Sequence, residues 1–349
     1  MQELNNSQVR QLIDVQQAFD ASEETRGKLR RAYSGSMRWG ERSGQSYLLR
    51  KQGAKEKSLG RRDPQTESIY KRFSEGREAT KERAVQMRER LEEMAPINKA
   101  MKLARIPLTA ARVLRHLADK GLLGRNVVIA GTNSLFLYEA LAGVQLQSDL
   151  LSTGDVDLLF DARRHLRLSV FGEQPESILS VLRAADRSFE IKENENYRAV
   201  NRDGYMVDLI HPLNIEREQN PLTAKVRLSD ATDAEDLVAV AIEGLQWLIS
   251  APKTEGIVIG DDGLPARMAC VDPRVFALHK KWLSERINRS SMQRRRDEAQ
   301  SLAAAYIATH YLGLKFDDPA LTALPAALRD MSEHIERQGK EAYAHEQQD

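Results

Sequence analysis

Residues 127–140, VVIAGTNSLFLYEA, change from a strand pattern to a helix pattern at Gly131-Thr132. The apolar run before the glycine predicts a buried strand, and SLFLYEALAG after it predicts a helix. A glycine at such a junction lets the backbone approach a bound group closely, and the first N–H groups of the helix attract an anion. We therefore expect Gly131, Thr132 and Ser134 to bind phosphate, with an ordinary turn and helix N-cap as the alternative.

Two acidic segments follow this junction. STGDVDLLFD, residues 152–161, carries Asp155 and Asp157 two positions apart. Strand alternation therefore places both carboxylates on one face and Val156 on the other. Asp208 lies inside the apolar run YMVDLI, where burying a charge requires a metal ion or a cationic partner. Carboxylates gathered in this way are ligands for Mg²⁺, so we expect Asp155, Asp157 and Asp208 to bind metal.

The order of these segments matches the needs of two-metal phosphoryl transfer. In that arrangement one Mg²⁺ contacts Asp155, Asp157 and the phosphates of a nucleoside triphosphate (NTP). A second Mg²⁺ activates the attacking hydroxyl with the help of Asp208, as third ligand or general base. We expect two Mg²⁺ ions, with Mn²⁺ as the substitute ion, and an NTP as substrate.

The same segments resemble the DNA polymerase β-type nucleotidyltransferase superfamily, in which a strand, a Gly-Ser type turn and a helix precede Asp-x-Asp and a later acidic strand. GTNSLFLYEALAGV, DVDLLFD, PRVFALHKKWLSER and the basic run before Asp297 are similar to bacterial stand-alone nucleotidyltransferase-like proteins related to toxin–antitoxin and abortive-infection enzymes. The resemblance covers about residues 105–300. It implies transfer of NMP to a hydroxyl with release of pyrophosphate, and an inhibitory partner of the antitoxin kind. Thr132 stands where many members have Ser or Gly, and a hydroxyl is retained.

In that superfamily a lysine on a helix and a later aspartate complete the site, which the resemblance places at Lys280 and Asp297. Phe276, Lys280 and Leu283 also follow helical spacing. This spacing predicts Lys280 on the partly buried side of its helix, where its charge would hold a β- or γ-phosphate. The alternatives are a lysine that extends to solvent at a helix edge and an Asp297 that pairs with neighbouring arginines.

Two basic segments predict contact with nucleic acid. From Arg26 to Arg62 the chain has 12 Lys and Arg residues and two acidic residues, a local net charge of +10. A second cluster, Arg286, Arg289 and Arg294 to Arg296, precedes Asp297. Such segments bind phosphate-rich partners and favour an RNA acceptor, such as a tRNA end. A solvated arm and a solvated helix junction are the alternatives.

The element pattern predicts an α+β fold in three parts. Residues 1–104 are expected to form a basic, charged helical extension with a short hairpin around Tyr47 to Leu49. Residues 105–215 alternate strand and helix signals, which predicts a small mixed β-sheet nucleotidyltransferase domain. Residues 216–349 predict a mainly helical C-terminal lobe. It contains a helix over residues 233–250, DAEDLVAVAIEGLQWLIS, and a hairpin over residues 256–271, GIVIGDDGLPARMACV.

Composition excludes several classes of protein. Lys and Arg total 52 and Asp and Glu total 51, so the overall charge identifies no partner. The single cysteine, Cys270, excludes an internal disulfide framework and fits a reducing, cytoplasmic compartment. No apolar run reaches the ~20 residues of a membrane span, and the N-terminus lacks a signal-peptide pattern. The seven histidines show no paired metal-ligand spacing, which argues against zinc.

The sequence leaves other functions open. The acceptor hydroxyl can belong to a protein or a small molecule instead of RNA. A catalytically silent module that binds nucleotide or RNA would have the same fold, although three intact aspartates argue against it. A helical interaction protein is the third alternative, with the charged N-terminal helix pairing with a partner or with itself.

Overall fold

A computed structural model of the chain describes residues 1–125, 127–161, 177–213 and 236–343. Helices and a mixed sheet of many strands form the α+β fold that the sequence predicts. None of the helices in these ranges combines the length and the apolar character that a bilayer-spanning segment needs.

The N-terminal part contains two long helices and a small sheet. In chain order its elements are β1 (Gln2–Glu3), α1 (Asn6–Ala32), β2 (Ser36–Arg42), β3 (Gln45–Gln52), β4 (Lys55–Arg61) and α2 (Pro64–Ala100). β2, β3 and β4 form an antiparallel three-stranded sheet, so the prediction of a short hairpin is wrong in extent. The hairpin was underestimated because most side chains of these strands are polar and only Leu48 is fully buried.

The two long helices pack on the rest of the chain. Val15, Leu91 and Ile257 belong to one apolar cluster, which joins α1 and α2 to the central part. Asn98 near the end of α2 is fully buried and donates from Nδ2 to the carbonyl of Gly263 at 2.8 Å. The long charged helix therefore lies along another part of the same chain.

A mixed sheet forms the centre of the molecule. The central elements are α3 (Leu108–Asp119), β5 (Val127–Ala130), α4 (Ser134–Ala142), β6 (Val144–Gln145), α5 (Ser148–Leu151), β7 (Asp155–Phe160), α6 (Ile178–Ala185), β8 (Glu190–Lys192), β9 (Glu195–Val200), β10 (Met206–Pro212), β11 (Val240–Ile242), α7 (Leu245–Ser250), β12 (Lys253–Ile259) and β13 (Pro265–Val271). The strand order is β12-β13-β5-β7-β10-β9-β8, and β11 pairs with β10. β7 is parallel to β10 and antiparallel to β5.

In the part of the chain that the structure describes beyond residue 215, three strands belong to this sheet. The predicted hairpin of residues 256–271 is present as β12 and β13, and β13 lies beside β5. The helix predicted for residues 233–250 is wrong in its middle part, because Val240–Ile242 form β11. Alternating valines suit a strand as well as a helix, and pairing with β10 decides between them. Gly244, with φ +87°, then separates β11 from the short helix α7. Residues 233–235 lie outside the described ranges.

Helices follow the sheet in the C-terminal part. They are α8 (Pro273–Ser284), α9 (Ser291–Tyr306), a π-helical turn (Ile307–Tyr311), a 3₁₀ turn (Pro319–Leu321), α10 (Ala326–Arg329) and α11 (Ser332–Tyr343). The Asp272 carboxylate accepts from the backbone N–H of Arg274 and Pro273 occupies the first turn, so α8 begins directly after β13. α8 and α9 then pack against each other.

Candidate active site

Asp155, Asp157 and Asp208 form an acidic cluster on two neighbouring strands. Asp155 and Asp157 share one face of β7, and Val156 between them is buried. The parallel register places Asp208 of β10 beside Asp157. Each of the three contributes a carboxylate oxygen, and these oxygens all lie within 4.8 Å of one another. The structure thus brings the three predicted carboxylates together.

Burial and mutual repulsion act together on the carboxylates of the acidic cluster. Burial, followed by repulsion from Asp155 and Asp208, raises the pKa of Asp157 to about 7. The positive charges of Lys280 and Arg198 act in the opposite direction without cancelling this effect. Three carboxylates at this spacing are the hard oxygen donors that Mg²⁺ and Mn²⁺ prefer. The residues present therefore fit a divalent cation.

The turn Gly131–Asn133 lies directly against the acidic cluster. It is one turn of 3₁₀-helix between β5 and α4. Gly131 has φ +65°, and a Cβ built on it would lie 2.1 Å from Oδ2 of Asp157. Only glycine fits both this left-handed backbone and the close carboxylate. The side chain of Asn133 fixes the turn to β7 by donating from Nδ2 to the carbonyl of Asp155 at 2.7 Å.

The two hydroxyl groups predicted for phosphate binding have different surroundings. The Thr132 hydroxyl accepts hydrogen bonds from Arg296 and Gln300 of α9. The Ser134 side chain is fully buried, and its hydroxyl donates to the carbonyl of Ile129 at 3.3 Å. Ser134 as a hydroxyl ligand of phosphate stays a prediction, and in the structure this hydroxyl is enclosed and hydrogen-bonded inside the protein.

Asp208 has a cationic partner that sequence reasoning missed. Arg198 of β9 donates from Nε to Oδ1 at 2.7 Å and from Nη2 to Oδ2 at 2.6 Å. Hydrogen bonding to Asp208 is also the main reason that the pKa of Arg198 is raised. The signal was present in the sequence. β9 and β10 are antiparallel and joined by the short loop of residues 201–205, so residues equally far from this loop, such as Arg198 and Asp208, face each other.

Asp155 is held by groups that sequence reasoning also missed. The hydroxyl of Thr153 donates to Oδ1 of Asp155. The hydroxyl of Tyr205 lies 3.4 Å from the carbonyl of Asp155, and burial raises the pKa of this tyrosine. Thr153 lies two residues before the start of β7, and its contact with Asp155 is local in the chain.

Lys280 and Asp297 form a buried ion pair between α8 and α9. Nζ of Lys280 donates to Oδ1 of Asp297 at 2.8 Å, and Arg289 reaches Oδ2 of Asp297 at 2.6 Å. Burial lowers the pKa of Lys280, while Asp297 favours the charged form. Lys280 is close enough to the acidic cluster to lower the pKa of Asp157. Asp297 therefore pairs both with Lys280 and with a neighbouring arginine, Arg289, and the second contact is the alternative that the sequence left open.

The arginines of the second basic segment do not share one surface. Arg286 forms an ion pair with Glu243, Arg289 pairs with Asp297, and Arg296 contacts Thr132. Residues 294–295 are exposed on α9. The arginines of this segment therefore have separate partners, and Arg296 is the one that contacts the turn Gly131–Asn133.

A family model described as nucleotidyltransferase matches residues 109–325, which is more than half of the chain. The matched range includes the turn, the acidic cluster, Lys280 and Asp297. No curated protein and no solved structure matches the chain significantly.

Proposed function

The chain belongs to the nucleotidyltransferase family, and we propose that it moves NMP from an NTP to an acceptor hydroxyl in a Mg²⁺-dependent reaction. The position of the acidic cluster against the turn Gly131–Asn133 is the observation that carries this proposal. A cluster of three carboxylates and a turn at the start of a helix are complementary to a metal ion and a polyphosphate.

The chain's own residues have separate tasks in this proposal. Asp155 and Asp157 hold the metal ions, and Asp208 completes the ligand set from the neighbouring strand. Mg²⁺, when bound, offsets the triphosphate charge and activates the attacking hydroxyl. Arg198 fixes both oxygens of Asp208 through its two hydrogen bonds. The backbone of the turn and the Thr132 hydroxyl bind the phosphates.

The reaction itself needs little covalent chemistry from the protein. The acceptor oxygen forms a bond to the α-phosphorus, and the bond from that phosphorus to the bridging oxygen breaks. Pyrophosphate leaves with the electron pair of that bond. The proton of the acceptor hydroxyl passes to Asp208, the general base in this assignment. Positioning and charge are therefore the main contributions of the site.

Lys280 contributes positive charge beside the acidic cluster in this proposal. Nζ of Lys280 donates a hydrogen bond to Asp297, so Asp297 acts as a positioning residue for the lysine. A lysine held in this way acts on a phosphate as a fixed point charge.

The acceptor that we propose is RNA, bound by the outer face of the N-terminal sheet. We define the outer face by Arg38, Arg42, Tyr47 and Arg61, which the strand register places on one side. The opposite side carries Trp39 and Leu48 and packs on α2, where the rings of Trp39 and Tyr70 are 5.8 Å apart. Exposed arginines around the half-buried ring of Tyr47 suit a single strand, whose phosphates and bases they contact. An inhibitory partner of the antitoxin kind is an expectation from the resemblance alone.

The direct test is incubation of the protein with each of the four NTPs, labelled at the α-phosphate, and total cell extract. We expect Mg²⁺-dependent labelling of RNA. Labelling of protein or of a small molecule would replace the proposed acceptor but keep the chemistry. Asp157→Asn is the variant that tests the site, since it should fold and transfer no label. Undiminished labelling by Asp157→Asn would overturn the metal assignment, and NTP binding without any labelling would identify a silent binding module.

A further inference from the structure

Two side chains of α9 donate hydrogen bonds to the hydroxyl of Thr132. Nη2 of Arg296 lies 3.1 Å from the Thr132 oxygen, and Nε2 of Gln300 lies 3.2 Å from it. Thr132 is 8% exposed and Gln300 is fully buried. Both donors belong to the C-terminal part of the chain, more than 160 residues after the turn that they contact.

Each of the two side chains makes a further hydrogen bond, and this bond shows that the atom facing Thr132 is a donor. Nε2 of Gln300 also donates to the carbonyl of Leu150 at 2.7 Å, and Nη2 of Arg296 donates to the carbonyl of Ser152 at 2.5 Å. Because a carbonyl oxygen only accepts, the Gln300 atom that faces Thr132 and Leu150 is the amide nitrogen. Thr132 is therefore the acceptor in both contacts.

This arrangement leaves one role for the Thr132 hydroxyl. A hydroxyl has two acceptor positions and one proton, and here both acceptor positions are occupied. Among the described residues, the Thr132 hydroxyl donates to no other group. Ser134 differs, since its proton is used on the carbonyl of Ile129. Phosphate oxygens of an NTP with bound metal only accept, so a hydroxyl whose proton is free suits them.

We propose that Arg296 and Gln300 are positioning residues that hold the Thr132 hydroxyl as a dedicated donor to the triphosphate. The proposal rests on the proposed function, because it assumes that a triphosphate lies on the turn. Without either donor, the hydroxyl is free to rotate and to donate to a nearby backbone carbonyl, as serine and threonine commonly do. The hydrogen bond to phosphate is then lost, while the acidic cluster stays intact.

The test measures binding of inorganic tripolyphosphate with Mg²⁺ by calorimetry, and the KM and kcat for the preferred NTP. Thr132→Val removes the hydroxyl and Thr132→Ser retains it. Gln300→Met keeps the size of the side chain and removes the donor. Ser301→Ala is the matched control, because Ser301 is a buried neighbour on α9 whose hydroxyl donates to the carbonyl of Ala277. Circular dichroism checks that each variant is folded.

We expect Thr132→Val and Gln300→Met each to weaken tripolyphosphate binding by at least about tenfold, as for loss of a hydrogen bond to a charged group. The same variants should raise KM more than they lower kcat. Thr132→Ser and Ser301→Ala should bind like the unaltered protein. The double variant Thr132→Val with Gln300→Met should bind no more weakly than Thr132→Val alone, since Gln300 acts through the hydroxyl.

The positioning role would be overturned if the losses of tripolyphosphate affinity add up in the double variant. It would also be overturned if Gln300→Met binds tripolyphosphate as well as Ser301→Ala does. If Gln300→Met does not fold, Arg296→Met, at an exposed position, replaces it. The double variant Thr132→Val with Arg296→Met then separates action through the hydroxyl from direct contact of the arginine with phosphate, since only the first gives non-additive effects. Absence of tripolyphosphate and NTP binding by the unaltered protein would instead overturn the proposed function, and this inference with it. The two failures are therefore distinguishable.

Discussion

Single residues set how closely the phosphate-binding turn approaches the acidic cluster. Because Gly131 has no Cβ, the carboxylate of Asp157 can occupy the position where a Cβ would lie. Gly143, at the end of α4, has nearly the same backbone angle, φ +66°, but no atom lies within 4 Å of the position of its Cβ. Comparison of Gly131 with Gly143 therefore distinguishes the cost of a left-handed backbone from the cost of a clash with Asp157.

Gly131→Ala should therefore be more harmful than Gly143→Ala. Both variants place a side chain on a left-handed backbone, which costs about 1 kcal/mol of stability. Gly131→Ala also displaces Asp157, so we expect a further loss of stability and loss of NTP binding. Urea unfolding and calorimetric titration with NTP and Mg²⁺ measure the two effects. Equal stability and equal NTP binding of the two variants would contradict the close approach.

Asp157 should lower the stability of the metal-free protein. Its pKa is raised to about 7 in the folded chain, so the folded state binds a proton that the unfolded state releases near pH 4. Stability of the metal-free protein should therefore fall as the pH rises from about 4 to about 7. Asp157→Asn should remove this fall and add roughly 2 kcal/mol above pH 7, after allowance for solvent screening.

Thermal unfolding in the presence of a chelator checks this expectation. Mg²⁺ should raise the melting temperature of the unaltered protein and leave that of Asp157→Asn unchanged. A variant that is less stable than the unaltered protein without metal would show that the carboxylate has a structural role instead.

At the level of elements, two ion pairs connect α8 and α9, and they differ in burial. Lys280 and Asp297 are both buried, whereas Glu298, the partner of Lys281, is about half exposed. Breaking a buried pair leaves a charge without compensation, and an exposed pair contributes little. The buried pair should therefore govern the packing of the two helices.

Asp297→Asn should lower the free energy of unfolding by about 3 kcal/mol. Glu298→Gln should change it by less than about 1 kcal/mol. Addition of Lys280→Met to Asp297→Asn should restore part of the loss, because the unpaired buried charge is gone. Urea unfolding of the three variants measures this. An Asp297→Asn variant as stable as Glu298→Gln would contradict the assigned burial and pairing.

The elements around the site were predictable from sequence to the extent that their patterns are local. β5, the turn, α4 and the two-residue alternation of Asp155 and Asp157 depend on neighbours in the chain. β11 was mistaken for a helix because its pairing with β10 is a distant contact. Arg296 and Gln300 were not found as partners of Thr132 for the same reason. Their contact crosses from α9 to the turn and leaves no spacing pattern in the sequence.

At the level of the whole molecule, positive charge is concentrated in residues 26–62, far in sequence from the acidic cluster. The balance of 52 basic and 51 acidic residues conceals the net charge of +10 between Arg26 and Arg62. That segment includes the whole N-terminal sheet, which α1 and α2 join to the central part. A separate acceptor-binding surface on a catalytic core is consistent with this distribution.

Replacement of Arg42 and Arg61 by glutamine should reduce the salt dependence of RNA binding. Each phosphate contact on a single strand contributes about 0.7 to the slope of log K against log salt, so two contacts contribute about 1.4. The control replaces Arg83 and Arg90 of α2 by glutamine, which removes the same amount of charge from exposed positions outside the sheet. Binding to single-stranded RNA at several salt concentrations compares the pairs. Equal slopes for both double variants would exclude the outer face as the contact surface.

The central claim is that Asp155, Asp157 and Asp208 bind divalent ions beside the phosphate-binding turn. Titration with Mn²⁺ in the presence of a non-hydrolysable NTP, followed by the electron paramagnetic resonance signal of the free ion, tests it most directly. Asp161→Asn, at the end of the same strand and outside the acidic cluster, is the matched control. We predict that the unaltered protein and Asp161→Asn bind Mn²⁺ and that Asp157→Asn does not. Equal Mn²⁺ binding by all three proteins, or none by the unaltered protein, would contradict the claim.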